Sequence, residues 1–459
     1  MLCIDKMENS LNFDKKIFYS KIVSVALPVM LQQLIIVAVG ICDTIMVGKI
    51  SENALAAVGA ANQVFFVYID CVFGFLSGAA VFSVQYWGIR DLKTLRKIMG
   101  IDYLMVMIWG IVATIVIYVW APFWIGLFTE DAEVISLGTE YLRVVVFTYL
   151  IGALTFVISY NSRATAMLMW PTIINAFAVI LNIFLNWCFI FGKLGFPELG
   201  CKGAAVATLI SRIIEFAGTF IYIYTAKNHP LRAKLREMVF DRDLFKRVVK
   251  TATPVTINEL FWVLSMTCTY AIIGKIGPVA LAVIQICMTI TDAFQAIYCG
   301  VGNGCNVVVG QELGKGNRGL AYQYAKKSLG IIWILNLITT TSLILARPLI
   351  VSIYSFEEST NSLIMSTLLV FAVSLTPKML TYVLVCGILR PGGDTLWCAF
   401  ADSGANWLIQ VPLALLAVRV FEWSLPYCMA FIMISEVIKA TFLYLRFFSK
   451  KWINVFTGR

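Results

Sequence analysis

The chain has 459 residues, of which 60% are apolar and only 14% are charged. This composition excludes an ordinary soluble domain, which carries about 25% charged residues. The net charge of +10 is compatible with nucleic-acid binding, but the distribution of the basic residues along the chain excludes nucleic acid as a partner. Twelve cysteines are scattered singly, mostly inside apolar runs, which is typical of packing residues rather than of a disulfide framework.

Apolar runs of about 20 residues recur from one end of the chain to the other and predict transmembrane helices. The twelve predicted spans lie near residues 22–47, 56–84, 99–125, 138–161, 168–191, 203–226, 248–273, 280–307, 326–350, 361–388, 395–418 and 425–447. The predicted domains are an N-terminal six-helix bundle over 1–226, a basic cytoplasmic linker loop over 227–247 and a C-terminal six-helix bundle over 248–459.

Lysine and arginine are concentrated in alternate loops. The stretch 227–250 alone contains eight of them, whereas the intervening loops are sparse in basic residues and include the acidic run "TEDAEV". Cytoplasmic loops carry the excess of basic residues in membrane proteins. We therefore expect a multi-pass protein of the plasma membrane with its N- and C-termini in the cytoplasm.

The two halves of the chain are copies of one another. Shifting the first half by 226 positions superposes it on the second without a gap, from the first pair of spans into the next loops. The shift pairs Pro28 with Pro254, Gly74 with Gly300, Gly78 with Gly304, Gln85 with Gln311 and Gly88 with Gly314. Six spans in each copy require the two bundles to have the same orientation, so the predicted fold is all-α with a pseudo-two-fold axis along the membrane normal. Parallel repeats of this kind are typical of transporters that work by alternating access.

Several motifs resemble those of the multidrug and toxic compound extrusion (MATE) transporters. They are "DTIMVG" from Asp43, "GFLSGAAVFSVQYWG" with its copy "GVGNGCNVVVGQELG", "FIFGKLGFPELGCKGAAVATLIS" and "GILRPGGDT". Together they cover nearly the whole chain in the order of that family. The resemblance implies antiport, in which amphiphilic and often cationic drugs leave the cell while protons or sodium ions enter. We expect a monomer embedded in the lipid bilayer, with a small-molecule substrate and no cofactor.

Two intramembrane acids are the candidates for cation coupling. Asp43 lies in the motif that carries the coupling aspartate of the resembled family, and sodium is one alternative to a proton there; no structural metal is expected. Its repeat counterpart is Thr269, so the acid belongs to one copy only. Glu259 follows Pro254 by about one turn. The alternative for Asp43 is a hydrogen-bonded helix cap, and the alternative for Glu259 is a structural hydrogen bond.

Six further side chains are candidates for a cavity or a switch: Lys378, Asp70, Asp292, Gln33, Asn258 and Trp262. Lys378 follows Pro377 at a position where sodium-coupled members of the resembled family tend to have an aspartate. It is able to pair with Glu259 or another acid as a switch, to reject small cations, or to form a static structural pair. Two i,i+3 pairs, Arg212 with Glu215 and Glu436 with Lys439, are interpreted as structural.

An enzyme or an ATP-driven pump is not indicated. The single histidine, His229, lies in the linker loop, and the sequence contains neither an HExxH motif nor a Walker lysine motif. Two other functions stay open, namely a flippase for a lipid-linked saccharide, which requires a more cationic cavity, and an exporter of an endogenous metabolite.

Overall fold

The computed structural model describes residues 14–238, 240–353 and 358–458, and these residues are overwhelmingly helical. The helices are α1 Lys15–Gly48, α2 Glu52–Gly88, α3 Leu92–Val119, α4 Ala121–Gly126, α5 Ala132–Val145, α6 Phe147–Ala164, α7 Met169–Phe191, α8 Gly200–Thr225, α9 Arg242–Ile273, α10 Pro278–Gly314, α11 Arg318–Ile353, α12 Glu358–Leu389, α13 Thr395–Val420 and α14 Leu425–Phe448. Within this part of the chain, eleven helices are long and apolar enough to cross a membrane. The pair α5 and α6, bent by 43°, supplies a twelfth span. The predicted all-α fold with twelve spans is confirmed.

Helix ends follow the local chemistry of the sequence. Asp91 caps α3, where its carboxylate accepts hydrogen bonds from the backbone N–H of Thr94 at 3.0 Å and from the hydroxyl of Thr94 at 2.6 Å. Asp131 caps α5 in the same way. Gly192, with φ of 61°, ends α7 in the left-handed region that glycine adopts without strain. Several helices extend beyond the predicted spans, because the helical conformation continues into the polar residues that flank each apolar run.

The outer faces of the helices are apolar and exposed. Only 28% of the most apolar stretch of α3 is buried within the protein, and exposed side chains such as Ile115 and Trp109 cover the rest. An apolar face of this extent is unfavourable in water and is favourable against lipid chains.

Contacts between residues divide the chain into two compact units. The N-unit comprises Leu31–Ser83 and Asp91–Lys250, and the C-unit comprises the described residues up to Met30, Val84–Arg90 and the chain from Thr251 onwards. Two helices are therefore divided between the units: the start of α1 and the end of α2 belong to the C-unit, and the rest of both helices belongs to the N-unit. The domain boundary at the linker loop stays a prediction from the sequence.

The start of α1 packs closely on α10 inside the C-unit. A Cβ atom added at Gly300 would overlap the side chain of Met30, and one at Gly304 would lie 2.9 Å from the carbonyl oxygen of Ile22. Glycines four residues apart let two helix backbones approach in this way. Gly300 and Gly304 therefore act as packing positions, and the partner helix is α1.

The ends of α2 and α10 cross reciprocally within the C-unit. A Cβ atom at Gly88 would collide with the carbonyl group of Gln311, and a Cβ atom at Gly314 would collide with the carbonyl group of Gln85. Both glutamines and both glycines are repeat counterparts, so the duplicated segment packs against its own copy.

The C-terminal segment, residues 452–457, is fastened to this crossing. The amide of Gln85 donates to the carbonyl oxygen of Pro391 at 2.9 Å and accepts from the backbone N–H of Phe456 at 2.8 Å. Thr457 donates to the carbonyl oxygen of Gly314 at 2.7 Å, and Trp452 is fully buried. The end of the chain is thus part of the C-unit core.

Candidate functional site

A row of polar side chains lies inside the N-unit around Asp43, five residues before the end of α1. The amide of Asn186 on α7 donates to Asp43 Oδ1 at 2.6 Å and to Asn182 Oδ1 at 3.3 Å. Asn182 in turn donates to the hydroxyl of Thr208 on α8 at 3.4 Å. Asn182 and Asn186 are one turn apart and therefore lie on the same face of α7.

One oxygen of this row is unsatisfied. Asn186 is 1% exposed, and its Oδ1 has no hydrogen-bond partner among the described residues. A buried carbonyl oxygen without a donor is costly. Next to the carboxylate of Asp43, it supplies a second oxygen for a small cation or for the water that carries a proton.

Arg212, which acts electrostatically on Asp43, is already paired. Arg212 forms an ion pair of 2.7 Å with Glu215, which also accepts a hydrogen bond of 2.7 Å from Asn175. The structural pair predicted between Arg212 and Glu215 is confirmed. Arg212 still acts electrostatically on Asp43 but forms no ion pair with it. The carboxylate of Asp43 therefore has no salt bridge to any described residue.

The second predicted acid, Glu259, is paired with Arg390. The guanidinium Nη2 lies 2.6 Å from Glu259 Oε1; Arg390 is buried at 3% side-chain exposure, and Glu259 is partly buried at 14%. Arg390 follows the π-helical turn that ends α12. The partner of Glu259 is therefore Arg390 and not Lys378, the partner considered from the sequence.

A second set of buried charges adjoins this pair. Lys439 on α14 is 2.8 Å from Asp402 and 3.0 Å from Glu436, so the predicted pair with Glu436 is confirmed and extended by Asp402. Asn258 donates to Asp402 at 3.0 Å, and Glu259 and Asp402 also act on each other electrostatically.

Taken together, these groups carry an unbalanced charge. Three carboxylates, Glu259, Asp402 and Glu436, face two cations, Arg390 and Lys439. A buried cluster with one negative charge in excess favours the uptake of one proton or one monovalent cation. Asp402 and the role of Arg390 were missed in the sequence, although Asp402 is an acid within an apolar span and the rule that selected Asp43 also applies to it.

The remaining candidates differ in exposure. Gln33 and Asp70 are half-buried in the N-unit, and Trp262 and Lys378 are half-buried in the C-unit, where Asp292 is exposed. Lys378 and Asp292 interact electrostatically. Their roles stay predictions.

A cavity of about 260 Å³ opens beside the C-unit cluster, between α9 and α13. Its accessible lining is almost wholly apolar, and Asn258 and Ser403 lie behind it, with the Ser403 hydroxyl donating to Asn258 Oδ1 at 2.7 Å. Phe261 and Trp407 line it as an edge-to-face aromatic pair with ring centroids 6.1 Å apart. Of the predicted candidates, Asn258 thus lies both in the hydrogen-bonded cluster and at a cavity.

Comparisons with known proteins agree with this architecture. A probable multidrug resistance protein NorM from Thermotoga maritima is 26% identical to the chain, in an alignment that covers 94% of this chain and 92% of the relative. The multidrug resistance protein NorM of Vibrio parahaemolyticus is 24% identical, in an alignment that covers 86% of each chain.

Solved structures share the fold. A MOP superfamily transporter from Pyrococcus furiosus and an outward-facing MATE family transporter each superpose with a TM-score of 0.84 at 20% identity, covering 94% of this chain and 96% of theirs. The MatE family model matches residues 28–188 and again residues 254–416. The two matches begin 226 residues apart, which is the shift of the internal repeat. The chain therefore belongs to the MatE family of transporters, as its motifs indicated.

Proposed function

We propose that the protein is a multidrug efflux antiporter, which exports amphiphilic and often cationic compounds in exchange for protons or sodium ions by alternating access. Membership of the family and the multidrug resistance proteins among its relatives support efflux of drugs. The proposed coupling to ions is supported by the polar row in the N-unit, where the Asp43 carboxylate lies beside the unsatisfied amide oxygen of Asn186.

Asp43 is the primary coupling residue in this proposal. Asn186 fixes one oxygen of the carboxylate, so that the other oxygen and Asn186 Oδ1 are left for the incoming ion. A proton or a sodium ion neutralises a charge that is unfavourable in this apolar setting. A cationic drug competes for the same negative charge, so ion and drug weaken each other's binding, which is the reciprocal coupling that antiport requires.

Glu259 is the second coupling residue. The excess negative charge of the C-unit cluster supports one bound proton or monovalent cation there, shared among the three carboxylates. Arg390 and Lys439 then hold the acids in place without removing the last charge.

A flippase for a lipid-linked saccharide is less well supported. Such a carrier needs unpaired cations for pyrophosphate, whereas Arg390 and Lys439 are each engaged by carboxylates. Export of an endogenous metabolite uses the same geometry, and it differs from drug export only in the compound that competes with the ion.

Replacing Asp43 by Asn tests the proposal. We expect Asp43→Asn to abolish ion-driven efflux of a fluorescent cationic dye, because the amide cannot bind and release a proton or neutralise sodium. The measurement is dye transport in inverted vesicles under an imposed pH or sodium gradient, with the amount of membrane-inserted protein quantified. Thr44→Val is the matched control, since its hydroxyl bonds only to Gly40 of its own helix. Undiminished efflux by Asp43→Asn would remove this residue from the mechanism.

A further inference from the structure

A second isolated carboxyl group lies in the N-unit, at Asp102 on α3. Its side chain is 2% exposed, and its Oδ2 accepts one hydrogen bond of 2.9 Å from the amide of Asn161 on α6. Asn161 is held in turn by the hydroxyl of Ser83, which donates to Asn161 Oδ1 at 2.9 Å. The other carboxyl oxygen, Asp102 Oδ1, has no hydrogen-bond partner among the described residues.

The charged groups around Asp102 do not neutralise it. On its own helix, Arg96 and Lys97 are 2.9 Å from Glu237 and Asp241 of the linker loop, respectively. On α6, the guanidinium of Arg163 lies 4.8 Å from the ring centroid of Tyr160.

The uncharged phenol of Tyr103 interacts electrostatically with Asp102 and with Tyr224 on α8, whose hydroxyl donates to the carbonyl oxygen of Ala233. Among the described residues, an ionised Asp102 is therefore a buried charge with a single amide donor, and the free-energy cost of such a charge amounts to several kcal/mol. A proton on Oδ1 removes that charge and leaves the bond from Asn161 in place.

Asp102 and Asp43 lie towards opposite ends of the N-unit helices. Because α2 reverses the chain direction, α1 and α3 start on the same face. Asp102 is ten residues after Leu92, about 15 Å along α3, whereas Asp43 is near the far end of α1. Above Asp102, the linker covers α3, since a Cβ atom at Gly100 would lie 2.8 Å from the Cβ of Met238.

We propose that Asp102 is a further proton-binding site of the transporter and the second one within the N-unit, on the side where the linker packs on α3. It takes a proton from water as an O–H bond at Oδ1 and returns the same proton to water, so no other reactant is needed. This proposal rests on proton coupling at Asp43. It places two exchangeable carboxyl groups at different depths of the same unit.

Infrared difference spectroscopy tests the site directly. Spectra of the purified protein at acid and alkaline pH contain the C=O stretching bands of carboxyl groups that take up a proton. We expect Asp102→Asn to lose one band that both the wild type and Asp43→Asn retain. Ser83→Ala is the matched control, because Ser83 contacts Asn161 and not the carboxyl, and it should keep the band. Spectra of Asp102→Asn identical to those of the wild type would overturn the proposal.

Transport separates this proposal from the proposed function. We expect Asp102→Asn to retain dye exchange down a dye gradient. The rate of uphill transport driven by a pH gradient should fall at least tenfold. If the wild type shows no ion-driven transport, the proposed function fails while the infrared result still decides whether Asp102 binds a proton. If Asp102→Asn transports uphill like the wild type, Asp102 is not part of the coupling.

A second variant covers the case in which Asp102→Asn does not reach the membrane. Asn161→Leu removes the one donor to the carboxylate that the described residues supply, and loss of that donor disfavours the ionised form. The Asp102 band should then persist to higher pH than in the wild type. An unchanged titration of the band would show that it does not arise from Asp102.

Discussion

At the scale of single residues, the two candidate coupling acids have different partners: Asp43 accepts a hydrogen bond from the amide of Asn186, whereas Glu259 forms an ion pair with Arg390. Asp43 and Glu259 stand out because carboxylates inside apolar runs are rare. The partner of Glu259 did not stand out, since Lys378 and Arg390 are both basic residues within reach of the same part of the chain. Only the fold shows that Arg390 approaches Glu259 to 2.6 Å. The unsatisfied oxygen of Asn186 became apparent only in three dimensions.

Glu259→Gln tests whether the pair with Arg390 is part of the transport cycle. The substitution leaves a buried guanidinium without its counter-charge, which costs about 3–5 kcal/mol. We expect a lower melting temperature, weaker efflux and a shifted pH dependence of efflux. The double variant Glu259→Gln/Arg390→Met should recover the melting temperature but not efflux. An unchanged pH profile of the single variant would assign Glu259 a purely structural role.

At the scale of helices, hydropathy located the spans but not their irregular turns. The bend between α5 and α6 and the π-helical turns before Arg390 and at Asn406 interrupt runs that are uniformly apolar in sequence. A hydropathy window measures transfer to lipid and is insensitive to such changes of helical register. The internal repeat was more informative, because it marked Gly88 and Gly314 as counterparts before their reciprocal contact was known.

Gly314→Ala tests the crossing of α2 and α10. The added methyl group collides with the backbone of Gln85, which cannot rotate away as a side chain would. We expect destabilisation of about 1–3 kcal/mol, as for overpacked cores, measured as a lower melting temperature of the purified protein. Gly330→Ala is the matched control, since a Cβ at Gly330 meets nothing within 4 Å, and it should be neutral or stabilising. Equal melting temperatures for both variants would contradict the tight crossing.

At the scale of the whole molecule, the sequence shows the duplication and predicts the membrane topology. The division into two units depends on contacts between helices, which hydropathy does not encode. The linker loop illustrates the difference. Its basic residues were assigned to the cytoplasmic side, but two of its acids fasten it to α3. The hydrogen bond from Lys97 holds the pKa of Asp241 below its ordinary value. The backbone N–H of Lys234, with Arg96, does the same for the pKa of Glu237.

These lowered pKa values set the pH range in which the linker is held. A carboxyl whose pKa is depressed by folding stabilises the fold above its ordinary pKa, and this contribution is lost as the pH falls below it. The ordinary values are 3.8 for Asp241 and 4.5 for Glu237, so both contacts are complete at neutral pH.

Charge reversal tests this attachment at neutral pH. We expect Lys97→Glu to speed chymotryptic cleavage within residues 227–247, because it replaces an attraction to Asp241 by a repulsion. The effect should be modest, as for partly exposed ion pairs. Lys97→Glu/Asp241→Lys should restore the slower cleavage, and Lys93→Glu, on an exposed neighbouring side chain, should have no effect. Cleavage that the reversed pair leaves fast would show that the loop is held by other contacts.

The packing of the start of α1 in the C-unit has a consequence for biosynthesis. Ile22 leaves the ribosome 282 residues before Gly304, the glycine it packs against. At about 5–20 residues per second, the first helix waits roughly 15–60 s for its partner. During that interval the surrounding lipid or the insertion machinery must shield the face that Ile22 and Ala26 later bury. Since residues 452–457 also belong to the C-unit core, this unit is complete only when that segment has been synthesised, and a ribosome that stalls before α10 leaves α1 without its partner.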